Sequence, residues 1–137
     1  MAEIDLEALA RKVEALEGPC RETDVLIALA TDWGHPASPC TLRHLHVALG
    51  ATVAELVKDA ESPQMITSQL PRYTASIDAA MSLVPDQAWW WVEAQPLVHG
   101  QFFAGCADER VAKGKTPALA LTAAALRARL MEGEGEK

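Results

Sequence analysis

Apolar residues at Leu6, Leu9, Val13 and Leu16 recur in steps of three and four, with Glu7, Arg11, Lys12, Glu14 and Glu17 around them. That pattern predicts an amphipathic helix, ended by Gly18-Pro19. A second helix is expected from near Cys20 through "RETDVLIALA", with Glu22 and Asp24 in its first turns, where the helix dipole favours acids. "TDWGHPASPC", residues 31–40, holds two prolines and a glycine and reads as a loop. "TLRHLHVALGATVAELVKDA" then places Leu42, Leu45, Leu49, Val53 and Leu56 or Val57 at helical spacing behind a Thr41 cap. Gly50 is its weak point, costing about 1 kcal/mol against alanine in a helix interior. "ESPQMITSQLPRY" is irregular, with a candidate short strand at residues 65–68.

Thr74 or Ser76 caps a short helix, "SIDAAMSLV", stopped by Pro85. "AWWWVEA" and "HGQFFAGCA" read as two strands of an antiparallel pair, joined through "QPLV". A polar connector, "DERVAKGK", follows, with another candidate strand at residues 110–112. "TPALALTAAALRARLM" opens with Thr116 as N-cap and Pro117 at the first helical position, and Arg127 and Arg129 suit its last turns. "EGEGEK" reads as a solvated, disordered acidic tail, residues 132–137, behind a single domain at 1–131. The order of elements predicts an α+β fold: a small antiparallel sheet in a layered sandwich with helices, and a helical N-terminal half. Two strands make a poor sheet. Either a third strand lies at one of the two candidate positions or another copy of the chain completes the sheet.

Three of the chain's seven aromatic residues stand side by side as Trp89, Trp90 and Trp91. With a period of two, Ala88, Trp90, Val92 and Ala94 form one wholly apolar set. Gln87, Trp89, Trp91, Glu93 and Gln95 form the other, polar apart from its two rings. If one face is wet, Trp90 faces the core, and Trp89 with Trp91 forms an interaction surface that Phe103 could extend. If both faces are covered, all three rings are buried.

Composition limits function more than it defines it. At 137 residues and half apolar, the chain is long enough to bury a core. A net charge of −7 argues against non-specific nucleic-acid binding, which needs clustered cations. No apolar run reaches the roughly 20 residues of a membrane span, and the N-terminus lacks the pattern of a signal peptide. Cys20, Cys40 and Cys106 are an odd, widely spaced set, so reduced thiols in a cytoplasm are expected.

Metal-ligand candidates are His35, His44, His46, Cys20, Cys40 and Cys106, with His99 apart, and none has zinc-site spacing. His44 and His46 would lie about 200° apart around a helix. No nucleophile motif and no phosphate-binding glycine motif occurs, so neither a catalytic residue nor a cofactor is expected. Asp108-Glu109 and Asp59/Glu61 read as solvated connectors. Arg72-Tyr73 precedes one expected helix N-terminus, and Lys113 and Lys115, with Arg110 nearby, precede another. Helix N-termini present N–H groups to anions, so these residues are candidates for a small anionic ligand. Ordinary solvated loop charge is the plainer account of them.

"GPCRETDVLIALA", "PRYTASIDAAMSLVP" and "TPALALTAAALRAR" resemble, in this order, segments of the phage ABA-sandwich domain family, small proteins encoded by phages and prophages. The likeness covers a quarter to a third of the chain directly, and residues 31–70 are the most individual part. Cys20 departs from the polar cap expected at the second helix. The resemblance implies helices on both faces of a sheet, where the order of elements suggests helices on one, and both arrangements stay open. It also implies a phage or prophage origin and brings no catalytic residues. The expectation is a non-enzymatic accessory protein in a bacterial host's cytoplasm, a homo-oligomer that binds either a host protein, such as a defence component, or a small anionic or nucleotide signal. The alternatives are an enzyme using dispersed residues such as His99, Arg72 and Asp78, or a virion assembly component.

Overall fold

The computed structural model of the protein describes residues 5–34, 41–62, 69–95, 100–107 and 111–135, with side chains as far as Leu130. Among these are six helices and one three-stranded antiparallel sheet, an α+β fold with a helical N-terminal half. The helices are α1 (Leu6–Ala15), α2 (Arg21–Ala30), α3 (Leu42–Val47), α4 (Val53–Glu61), α5 (Ile77–Met81) and α6 (Pro117–Gly135). The strands are β1 (Trp90–Ala94), β2 (Phe102–Cys106) and β3 (Val111–Gly114). Length alone points to one domain; the chain divides into two compact units.

The first unit is built on Arg21–Pro71. In it α2 packs on α3 and α4 around Val25, Ile27, Ala28, Leu29, Leu42, Leu56, Ala60 and Leu70. Asp24 is only 2% exposed, and its charge is met by Arg21, whose Nη1 lies 3.1 Å from the carboxylate. Arg21 also donates to the carbonyls of Leu70 at 2.7 Å and Pro71 at 3.2 Å, closing the unit's two ends together. The helix expected across residues 41–60 is broken in two. Gly50 adopts a φ of 76°, outside the helical region. Directly after it, Thr52 and Glu55 form a reciprocal capping box that starts α4 afresh.

The second unit joins Asp5–Cys20 to Arg72–Lys137, and α6 is its hub. Every residue from Ala118 to Leu126 is buried, on all sides of the helix. That is what a helix enclosed by neighbours requires. α1, α5, β2 and β3 surround it, and the alanines let their backbones come close. Burial of Leu119, Leu121 and Leu126 contributes roughly 1.5–3 kcal/mol each. The Thr122 hydroxyl donates to the Tyr73 carbonyl at 2.8 Å, so the polar group buried in α6 is satisfied. Thr116 caps α6 through the Leu119 N–H, as expected. The helix runs on to Gly135, four residues into the stretch expected as a tail. Cys20 does not cap α2; its own N–H donates to the Thr74 hydroxyl at 2.9 Å, tying the end of one segment of this unit to the start of the other.

The sheet order is β1-β2-β3. The third strand lies where the second candidate was, extended to Gly114; residues 65–68 lie outside the described residues. Trp90 is opposite Cys106, Val92 opposite Ala104, and Ala104 opposite Ala112. Gly114 shows which face meets α6. A Cβ there would come within 2.5 Å of the Ala120 nitrogen and 2.9 Å of Leu119 Cβ. Phe102, Ala104, Cys106, Ala112, Trp90, Val92 and Ala94 share the face of Gly114. On the opposite face, Phe103, Val111 and Lys113 line a cavity together with Glu7 and Glu14 of α1 and Arg127 of α6.

Candidate functional site

The open face of the sheet is made by Trp91, Glu93, Gly105, Phe103, Val111 and Lys113. Trp89 continues it, because its carbonyl accepts the Ala107 N–H at 3.0 Å and extends the β1–β2 register by one pair. Trp89 is 53% exposed and Val111 54%, while Trp91 and Phe103 are half-buried. Trp91 does not stand up from the sheet. Its indole lies on Gly105, its cross-strand partner, where a Cβ would come within 2.7 Å of Cε2 and 3.0 Å of Cζ2. The result is a flat aromatic surface, with Glu93 and Lys113 at the two ends of one cross-strand row through Phe103.

The face assignment therefore matches the two-residue period, but the burial of Trp90 does not. Trp90 is on the α6 face and is still 37% exposed. The reason is position in the sheet. β1 is an edge strand, and α6 passes mainly over β2 and β3. The indole overhangs the layer that would cover it.

The anion candidates do not come together. Tyr73 is 2% exposed and belongs to the core. Arg72 is exposed, and its carbonyl accepts the Ala75 and Ser76 N–H groups in the turn before α5. Lys113 and Lys115 are elsewhere, on an open cavity of about 390 Å³ whose lining includes Arg11, Glu14, Glu17 and Gln101. Arg110 lies outside the described residues, as do His35, Cys40, His99 and Asp108-Glu109. Asp78 is exposed, like Arg72. His44 is exposed, and the His46 ring Nδ1 lies 2.6 Å from the Ala51 carbonyl. Among the described residues no three His, Cys, Asp or Glu side chains form a metal-binding group, and neither Cys20 nor Cys106 is in a disulfide. No described helix is long and apolar enough to cross a membrane.

Beside that cavity lies a network that sequence reasoning missed. Arg127 of α6 grips Glu14 of α1 with Nη2 at 2.7 Å and Nη1 at 2.9 Å, and reaches Glu7 with Nε at 3.1 Å. The Lys113 backbone N–H donates to the same Glu14 carboxylate at 3.0 Å. Helix, helix and outer strand are thus held by one guanidinium and two acids. Hydrogen bonds from Arg127 hold Glu7 below the usual carboxylate range, against the pull of partial burial. Burial pushes Glu14 up, but the hydrogen bonds from Arg127 and Lys113 and their charges outweigh it, so its pKa is lowered too. The same bonds raise Arg127 above its ordinary value. Only the i, i+7 spacing of Glu7 and Glu14 on α1 hints at this in the sequence, since it puts both on one helix face.

No family model, no curated protein and no solved structure matches this chain.

Proposed function

We propose that the chain is a phage or prophage accessory protein that acts by binding a protein partner, without catalysis, through the open face of its sheet. The observation that carries this reading is the flat aromatic surface of Trp89, Trp91 on Gly105, Phe103 and exposed Val111. A large exposed apolar patch with charges at its margin is the usual composition of an interface centre. The three-segment resemblance to phage ABA-sandwich proteins supports the phage origin, and with it a bacterial host's cytoplasm and a host protein such as a defence component as partner. A homo-oligomer is part of the reading.

A second reading takes a small anionic or nucleotide ligand. It is favoured by Arg11, Lys113 and Lys115 sharing one cavity, although Glu14 and Glu17 line it as well. Native mass spectrometry of the protein purified from a bacterial host separates the two. A bound host protein that is lost with Trp89→Ala and Trp91→Ala supports the first. A nucleotide released by heat, and retained by both tryptophan variants, supports the second. A chain that carries neither, at any expression level, would sink both.

A further inference from the structure

We propose that a second copy of this chain pairs antiparallel along the free edge of β1, about a two-fold axis at Val92, joining two sheets into one. The ladder identifies the free groups. Trp89 accepts from Ala107, and Gln95 donates to the Gln101 carbonyl at 2.9 Å. Antiparallel pairs alternate between bonded and non-bonded, so Trp91 and Glu93 also bond β2. The N–H and C=O groups of Trp90, Val92 and Ala94 therefore point away from β2, and no other described strand lies beside them. The opposite edge of the sheet is engaged, because Lys113 donates to Glu14.

Edges that stay single are usually blunted by charged side chains, lysine above all, by proline, by a bulge or by an inward-pointing charge. "WWVEA" carries no lysine, no proline and no inward-pointing charge. Its one charge, Glu93, is on the open face. The strand is also its own complement. About Val92, Val92 meets Val92 of the second copy, and Trp90 meets Ala94, a large ring against a methyl group. Glu93 meets Trp91 and not another carboxylate, so the pairing sets no like charges directly opposite. About six backbone hydrogen bonds form across the axis. The overhanging Trp90 ring, which α6 leaves part-exposed, is covered. A foreign strand has no such built-in match, so the second copy is the occupant the strand specifies. The two open faces then lie on the same side of the joined sheet, which doubles the aromatic surface. The pairing rests on the homo-oligomer in the functional reading and names its surface; the open face binds its partner without the β1 edge, so the two fail separately.

The test uses the full chain in sedimentation equilibrium together with amide hydrogen exchange. A dimer is expected, with the amides of Trp90, Val92 and Ala94 protected in step with dimer concentration. Val92→Pro removes an outward N–H while leaving the β1–β2 ladder intact, the one setting in which a strand accepts proline. It should raise the dimer dissociation constant on the order of a hundredfold while cooperative unfolding is kept. Trp90→Lys, an edge charge, should do the same and serves if the proline variant fails to fold. Trp89→Ala should leave the dimer unchanged. A wild-type monomer, fast exchange at the three amides within a dimer, or protection of them in a monomer would each overturn the pairing. So would a folded Val92→Pro or Trp90→Lys variant that remains as tight a dimer as wild type.

Discussion

The indole of Trp91 lies flat on Gly105, its partner across the β1–β2 ladder, in the space a side chain at 105 would fill. The glycine is there because the ring needs its face, and the ring covers backbone that glycine leaves bare. Gly105→Ala should therefore displace the indole and cost about 1–3 kcal/mol, the usual range for overpacking. Urea unfolding measures this. In a Trp91→Ala background the same change should cost far less, because the clash is gone. Equal costs in both backgrounds would show that the two residues are not coupled.

Trp90→Ala should cost about 1–2 kcal/mol. The full large-to-small penalty of about 3–5 kcal/mol belongs to a buried ring, and Trp90 is more than a third exposed. Leu119→Ala, at a fully buried site in α6, should exceed it at about 2–5 kcal/mol. Urea midpoints at equal slope decide the order, and the reverse order would mean that Trp90 is core after all.

The contrast between these two residues marks how far the sequence reaches. The period of two assigns each tryptophan to its face, because side-chain alternation is local. It says nothing about which strand is at the edge, since that depends on where α6 crosses the sheet. Likewise, Thr116-Pro117 announces the start of α6, a short-range cap. The capping box at Thr52 and Glu55 is just as local and was legible beside Gly50; the apolar spacing that runs through residues 42–57 masks it. The grip of Arg127 on Glu7 and Glu14 spans the length of the chain, and no local pattern reports such a pair. The open aromatic face was half legible: Trp89, Trp91 and Phe103 are on it, while the flat lie of Trp91 depends on a glycine in another strand.

Gly114→Ala should destabilise by about 1–3 kcal/mol. The obstacle is the backbone of α6, with the Ala120 nitrogen and Leu119 carbonyl carbon closest, and a helix start cannot yield as a flexible side chain can. Relief would require moving α6 off the sheet. Thermal unfolding measures the loss. A neutral result would show that the contact between β3 and α6 is looser than the geometry says.

Arg127→Met should lower stability at neutral pH by about 2–3 kcal/mol, as expected when a charge-assisted cluster loses its centre and two acids keep each other's company. It should also change the acid limb of the stability profile. Glu7 and Glu14 have folded pKa values below their ordinary one. Their contribution is therefore fully present above the unfolded carboxylate range, near pH 5, and is lost as pH falls through the lower folded values. Arg127 stays charged throughout, so it contributes no slope of its own. In the methionine variant the two pKa values move back up, the difference between folded and unfolded states shrinks, and the decline below pH 5 becomes shallower. Urea midpoints measured from pH 7 to pH 3 test this. Wild-type and variant curves that run parallel across that window would show that the depressed carboxylates owe nothing to Arg127.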